Sequence, residues 1–421
     1  MELLTNILFS LFLLVVTIWA FKKNFKLYFI FGLIIYQAFT VIPSLVYIET
    51  GNKIISEQGR YGYFVGSVFY FGLFYLLSLL FIYLTFNTLK KVRLRTFYFT
   101  YNGKNIEMYV LLVLVIIVLS ILLINAYLSP SPLFDSHVNR FTYWKMARFP
   151  ILNKLFGNTA MFIPFALGIL FLRYKKLSVL LLAIYYVYNF YIGQKFSPIV
   201  NGTFSFLLPL VIHYDTKTFF KFIFNKKTMV LGFILAIVVY NVIYNKYEKT
   251  HPFAVIKIYN PNEAMFYRIF GLQAHLFWGA TERYVYQEVP HTWNISSLAY
   301  GMHEMMKEFA VGGEKFANIS ARIGFNFTNA YPSILLMVFP PLLAYFIHIF
   351  IIIFILTLSG WILIRLVENK SYILSLFAFQ FFLWTIYALT MGYFYKLIFG
   401  IIFNTLILIM AVYFEKKKLY E

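Results

Sequence analysis

Apolar runs close to the ~20 residues that a helix needs to cross a bilayer core of about 30 Å divide this chain almost from end to end. They fall near 4–21, 27–47, 61–86, 108–126, 158–172, 177–192, 199–213, 229–245, 333–364, 372–389 and 397–414. The expected fold class is therefore an all-α polytopic membrane protein of about 11 transmembrane helices. The run at 333–364 is long enough to be tilted, kinked at Pro340-Pro341, or preceded by a re-entrant segment. No linker, internal repeat or separate soluble domain interrupts the series, so residues 1–421 read as a single integral membrane domain. The first run lacks a basic start and an Ala-x-Ala end, so no cleavable signal peptide is expected.

Composition agrees. Of the 421 residues, 61% are hydrophobic, 12% are charged and none is cysteine. A soluble domain carries roughly a quarter charged residues and cannot hide so much apolar surface. A soluble enzyme, a disordered chain and a disulfide scaffold are all excluded. The net charge of +20 suggests nucleic acid at first glance, but in so apolar a chain a lipid partner is the better explanation. An AT-rich genome also favours Phe, Ile, Asn and Lys, so aromatic richness alone does not mark a site.

The basic residues set the orientation. Twenty of the 36 lie in the loops holding Lys22 to Lys26, Lys90 to Lys104, Arg173 to Lys176, Lys217 to Lys227, Arg365 to Lys370, and Lys416 to Lys418. These loops are short, so by the positive-inside rule they are cytoplasmic, with the N-terminus outside and the C-terminus inside. The outer face then keeps short loops at 48–60, 193–198 and 390–396 and two longer ones, 127–157 and 246–331. Loops as long as the last are usually functional, so any chemistry is expected on that face.

Only ten basic residues are Arg, yet six of them fall outside: Arg60, Arg140, Arg148, Arg268, Arg283 and Arg322. Positioning charge belongs inside, whereas a planar fork for phosphate or carboxylate is needed wherever the ligand is. The cluster reads as an anion site, and any single Arg reads equally as surface charge. The sharpest segment is 266-FYRIFGLQAHLFWGATERYVY-286. On a helical wheel Arg268, Leu272, His275, Gly279 and Glu282 share one face, with Phe266, Phe270 and Phe277 opposite. That predicts an amphipathic helix on the membrane surface, showing a cation, an imidazole and a carboxylate in a row. A solvated helix with no site is the alternative. Lys195, in the outer hairpin 193–198, is either paired with an anion or snorkelling. Arg322, Asn326, Thr328 and Asn329 stand just before a run, where non-helical backbone is tolerated if it lines a cavity. Arg140, Lys145 and Arg148 alternate with Phe141, Tyr143, Trp144 and Phe149, a pattern that suits a lipid diphosphate, a stacked sugar or an interfacial belt.

Other chemistries are not indicated. Without Cys or a tight His set no metal site is expected, and no Walker loop, GxGxxG or GxSxG appears. The acids fall in loops or at the ends of runs, which speaks against an ion-coupled carrier.

Three segments together resemble a known family. They are Gly193–Ser197 (GQKFS), Arg268–Trp278 (RIFGLQAHLFW) and Phe327–Pro332 (FTNAYP). With the predicted topology, they make the chain similar to the bacterial O-antigen polymerases, the Wzy-type oligosaccharide repeat-unit polymerases. Ala274 stands where that family's pattern suggests Gly. The motif likeness covers 22 residues and the topological likeness nearly all of the chain.

The resemblance implies a metal- and cofactor-independent glycosyltransferase of the GT-C type in the inner (cytoplasmic) membrane, its active site facing the periplasm. It would move a growing glycan from undecaprenyl diphosphate onto a lipid-linked repeat unit, with lipid-linked donor and acceptor, the bilayer, a chain-length regulator and a flippase as partners and no nucleic acid. The departing diphosphate would fall to Arg268, Arg322, Arg140, Arg148, Lys195 and Arg283. His275 would serve as base, with Glu282 as second base or orienting group. Gln273, Trp278, Asn326, Thr328, Asn329 and Tyr331 would contact glycan. An O-antigen ligase differs only in its acceptor and remains the rival enzyme. The rivals of another class are a lipid-linked oligosaccharide flippase, which needs no such outer loop, and a non-catalytic export or scaffold component, which requires neither His275 nor Glu282. A reporter active only outside the cytoplasm should be active when fused within 246–331; activity within 87–107 instead would invert the topology.

Overall fold

The computed structural model describes residues 2–50, 65–92, 94, 100–101, 104–135, 137–138, 142–159, 161–194, 197–254, 257–310, 312–323 and 327–417. The chain is an all-helical, multi-pass membrane protein. Apart from a two-residue antiparallel ladder, Thr100–Tyr101 with Lys104–Asn105, and an isolated bridge between Phe253 and Ile258, the regular structure among the described residues is helix. Among the described residues, six helices are long and apolar enough to cross a membrane: Leu3–Lys23, Gly32–Glu49, Ser67–Leu89, Glu107–Tyr127, Pro341–Glu368 and Tyr372–Met391. Three shorter apolar helices accompany them: Phe162–Phe171, Pro198–His213 and Leu397–Ile409. Each of the eleven apolar runs contains helix, but the long run at 333–364 is broken where its prolines stand. Ser333–Val338 ends before Pro340, and a new helix starts with Pro341 in its first turn, where the missing N–H costs nothing.

The helices fall into two compact units. One comprises residues 1–92, 224–361 and 382–403; the other comprises 93–223, 362–381 and 404–421. Each unit draws on separated stretches of chain, so no linker in the sequence marks the division.

In the first unit, spans are joined at their ends by a buried acid. Glu49, the last residue of its helix, is fully enclosed, and its carboxylate accepts from the backbone N–H groups of Gly66 at 3.1 Å and Ser67 at 2.7 Å. The Ser67 hydroxyl and the Asn6 amide donate to it as well. The free N–H groups that open the Ser67–Leu89 helix are thus capped by a charge of the sign that a helix N-terminus prefers. Midway down the same helices the Tyr75 hydroxyl meets Thr17 Oγ1 at 2.8 Å. At the other end Lys23 Nζ sits 4.9 Å over the Trp19 ring, a cation–aromatic pair typical of a membrane interface.

The second unit repeats the device. Glu107 is enclosed and accepts from Ile373 N at 3.0 Å, in the first turn of the Tyr372–Met391 helix. Two rings, Phe165 and Phe379, stack with centroids 4.0 Å apart. The Phe162–Phe171 helix lies so close to Ser197–His213 that a β-carbon on Gly168 would stand 2.2 Å from the Phe206 carbonyl oxygen. Gly168→Ala should therefore destabilise this unit by at least ~1–3 kcal/mol, the usual cost of overpacking. Thermal melting of the detergent-purified protein checks this, and an unchanged midpoint would refute the close approach.

Candidate functional site

The stretch between the Lys226–Thr250 helix and Ser333 folds as short helical pieces, not as an open loop. Pro261–Phe266 is α-helical, Tyr267–Gly271 a π-turn, His275–Thr281 α-helical and Glu282–Tyr286 a second π-turn. Gly301–Phe309 follows, with Met302, Met305, Met306 and Phe309 inside, the spacing of an amphipathic helix.

The predicted continuous helix over 266–286 is not formed, and its polar row is not on the surface. A π-turn adds a residue per turn, and residues 272–274 are non-helical, so the wheel loses its phase before reaching His275. The short helix that follows, HLFWGAT, is apolar nearly all round and is enclosed all round. Phe277 receives the edges of Phe71 and Phe74, with centroids 5.2 and 6.2 Å away. His275 is 0% exposed, and neither ring nitrogen has a hydrogen-bond partner among the described residues. Burial pushes its imidazole down to about 3, which leaves it neutral and a weak base in this arrangement. Glu282 is buried as well, at 3% exposure. Trp278 and Tyr331 are packed into the core rather than offered to a sugar, and so is Phe327. Arg283 pairs with Glu308 at 2.9 Å and is thereby taken up within the protein.

What does stand at the surface is Arg268, exposed on the first π-turn, with no acid within ion-pair distance among the described residues. Gly271 closes that turn because the Tyr267 ring folds over it, 2.4 Å from where a β-carbon would lie. The Gln273 amide then reaches back and donates to the Arg268 carbonyl at 2.8 Å. Leaving the helix strands backbone groups, and they are met from two directions. Ser44, in the Gly32–Glu49 helix, donates to Gly271 O at 2.9 Å and accepts from Ala274 N at 3.1 Å. Thr328 Oγ1 donates to Leu272 O at 3.0 Å, and Asn329 Nδ2 donates to Gln273 O at 2.9 Å. Asn329 adopts a φ of 58°, a left-handed conformation that Asn tolerates better than most residues. Three of the predicted residues, Gln273, Thr328 and Asn329, therefore form one clamp beneath Arg268. Ser44, its fourth member, stands in an apolar run some 230 residues upstream and gave no signal in the sequence.

Beside the clamp lies an apolar groove of about 560 Å³. Ile7, Leu11, Phe39 and Ile42 of the spans line it, with Phe266 and Phe270 from either side of Arg268 in the chain.

Arg148 belongs to the second unit; it is exposed, and its N–H donates to Ser129 Oγ at 2.9 Å. Arg140, Lys195 and Asn326 lie outside the described residues, as does the side chain of Arg322 on the Gly313–Ile323 helix. Among the described residues no group of three or more His, Asp or Glu is set to hold a metal ion.

A family model described as a family of unknown function (DUF6418) matches residues 296–409, about a quarter of the chain. No curated protein and no solved structure matches. The matched stretch contains Thr328, Asn329 and Tyr331 of the clamp loop together with the Pro341–Glu368 and Tyr372–Met391 helices.

Ser44→Ala should lower stability by about 1–3 kcal/mol, because it leaves a buried carbonyl and a buried N–H without partners. Thermal melting against a Ser10→Ala control measures it; equal midpoints would show that the break at 272–274 is held by other means.

Proposed function

We propose that this chain is a membrane glycosyltransferase of the polysaccharide-polymerase type. It joins undecaprenyl-diphosphate-linked oligosaccharide repeat units on the periplasmic face of a bacterial inner membrane, with about eleven crossings in a GT-C-like arrangement. The observation that carries this reading is the clamp. Two of the three segments that resemble the O-antigen polymerases, Arg268–Trp278 and Phe327–Pro332, are hydrogen-bonded to each other through Thr328 and Asn329, under an exposed arginine.

The chemistry suits such a site. A glycosyl group leaves a diphosphate, so negative charge grows on the departing oxygens, and a preorganised cation stabilises it as it forms. Arg268 supplies a planar fork able to take two phosphate oxygens at once. The carrier is a polyisoprenoid, and the groove lined by Phe266, Phe270 and the span residues offers apolar walls of the size found in small-molecule sites. The reading rests on Arg268 and not on His275 or Glu282, which are enclosed.

Arg268→Ala should leave protein levels intact and cut long surface glycan to single repeat units, seen as loss of the ladder on a polysaccharide gel. Arg268→Lys should impair chain growth by at least about tenfold, since a point charge does not replace a bidentate fork. A full ladder from both variants would refute the diphosphate role.

A further inference from the structure

The clamp loop has a second anchor that reaches into the helix bundle. The hydroxyl of Tyr331 bonds Nδ1 of His348, a residue of the Pro341–Glu368 helix that is 3% exposed. The other ring nitrogen, Nε2, lies 2.9 Å from the Phe74 carbonyl and 2.8 Å from Ser78 Oγ, and the Ser78 hydroxyl donates to that same carbonyl at 2.9 Å. A carbonyl oxygen can only accept, so the ring hydrogen is on Nε2, and the Nδ1 lone pair is left to receive the Tyr331 hydroxyl. A single tautomer satisfies every contact.

Tyr331 is also held through its main chain. Its N–H donates to Thr390 O at 3.2 Å, and its carbonyl accepts from Gln37 Nε2 at 3.3 Å. Gln37 Nε2 donates to Asn329 Oδ1 as well, at 3.1 Å. The loop that grips residues 272–273 is thus tied directly to three helices and, through His348, to the Ser67–Leu89 helix, and the histidine makes its tie through an ionisable side chain. A ring this polar is costly inside an apolar helix, where Phe or Leu would fill the space without demanding three partners.

We propose that His348 is a positioning residue: through Tyr331 it fixes the Phe327–Tyr331 loop, and through Thr328 and Asn329 it fixes the turn that carries Arg268. This rests on the reading of Arg268 as the diphosphate contact. Hydrogen exchange of the purified full-length protein in lipid nanodiscs tests it on the amides of 267–274 and 328–331. Tyr331→Phe and His348→Phe keep rings in place but delete the link, and both should speed exchange by about tenfold or more. His348→Gln reaches towards Phe74 but not Tyr331 and should behave like them. His348→Asn puts an amide oxygen where Nδ1 lies and should stay within about twofold of the parent. Parental exchange in Tyr331→Phe overturns the proposal, and that variant alone decides the matter should the His348 variants not accumulate. The glycan ladder of the same variants keeps the two readings apart. Fast exchange with an intact ladder supports the link and counts against the role of Arg268, whereas parental exchange with a lost ladder overturns the link and leaves that role standing.

Discussion

A peptide group that leaves water for lipid must find its hydrogen-bond partner inside the protein, and the rest of this structure follows from meeting that demand. Along the spans the helix itself meets it. At the places where helices stop, other side chains are brought in. Glu49 caps the Ser67–Leu89 helix, Glu107 caps the Tyr372–Met391 helix, and Ser44 serves both broken ends at Gly271 and Ala274. Two of the enclosed acids among the described residues are thus spent on backbone, which fits their position at the ends of apolar runs.

The same demand explains the shape of the candidate site. A stretch of eighty-odd residues between spans could have remained solvated, yet its central pieces are drawn inward, and the short helix His275–Thr281 is enclosed on every side. Burial on that scale strands carbonyls and amides wherever the helix is interrupted. Thr328 and Asn329 answer for those at 272 and 273, and in doing so they bring together two segments that sequence likeness had picked out separately. Arg268 stays at the surface because the turn that carries it is the last exposed element before the chain goes under.

What could be read from the sequence was what depends on neighbours along the chain. Apolar runs gave helices because a run is a local property, and Pro340-Pro341 ended one because proline acts on its own turn. The polar row over 266–286 failed because a wheel of fixed period carries no information on a π-turn, and the Arg, His and Glu spacing outweighed a plainer signal. The segment HLFWGAT has no polar face to speak of, which is the pattern of a buried helix. Ser44, Gln37 and His348 could not have been found this way, since each acts on residues brought near only by folding.

Much of the clamp is side chain to main chain. Ser44 and Thr328 grip a carbonyl each, Asn329 and Gln37 grip further ones, and Ser44 also receives an amide. Main-chain atoms are common to every residue, so gripped positions whose side chains make no such bond of their own, Leu272 and Ala274 among them, are free to change identity over generations while the geometry persists. The gripping positions enjoy no such latitude. Divergence in a chain built this way should accumulate on the held segment and spare its holders, so that two descendants can share the same fold of the site while sharing little readable text.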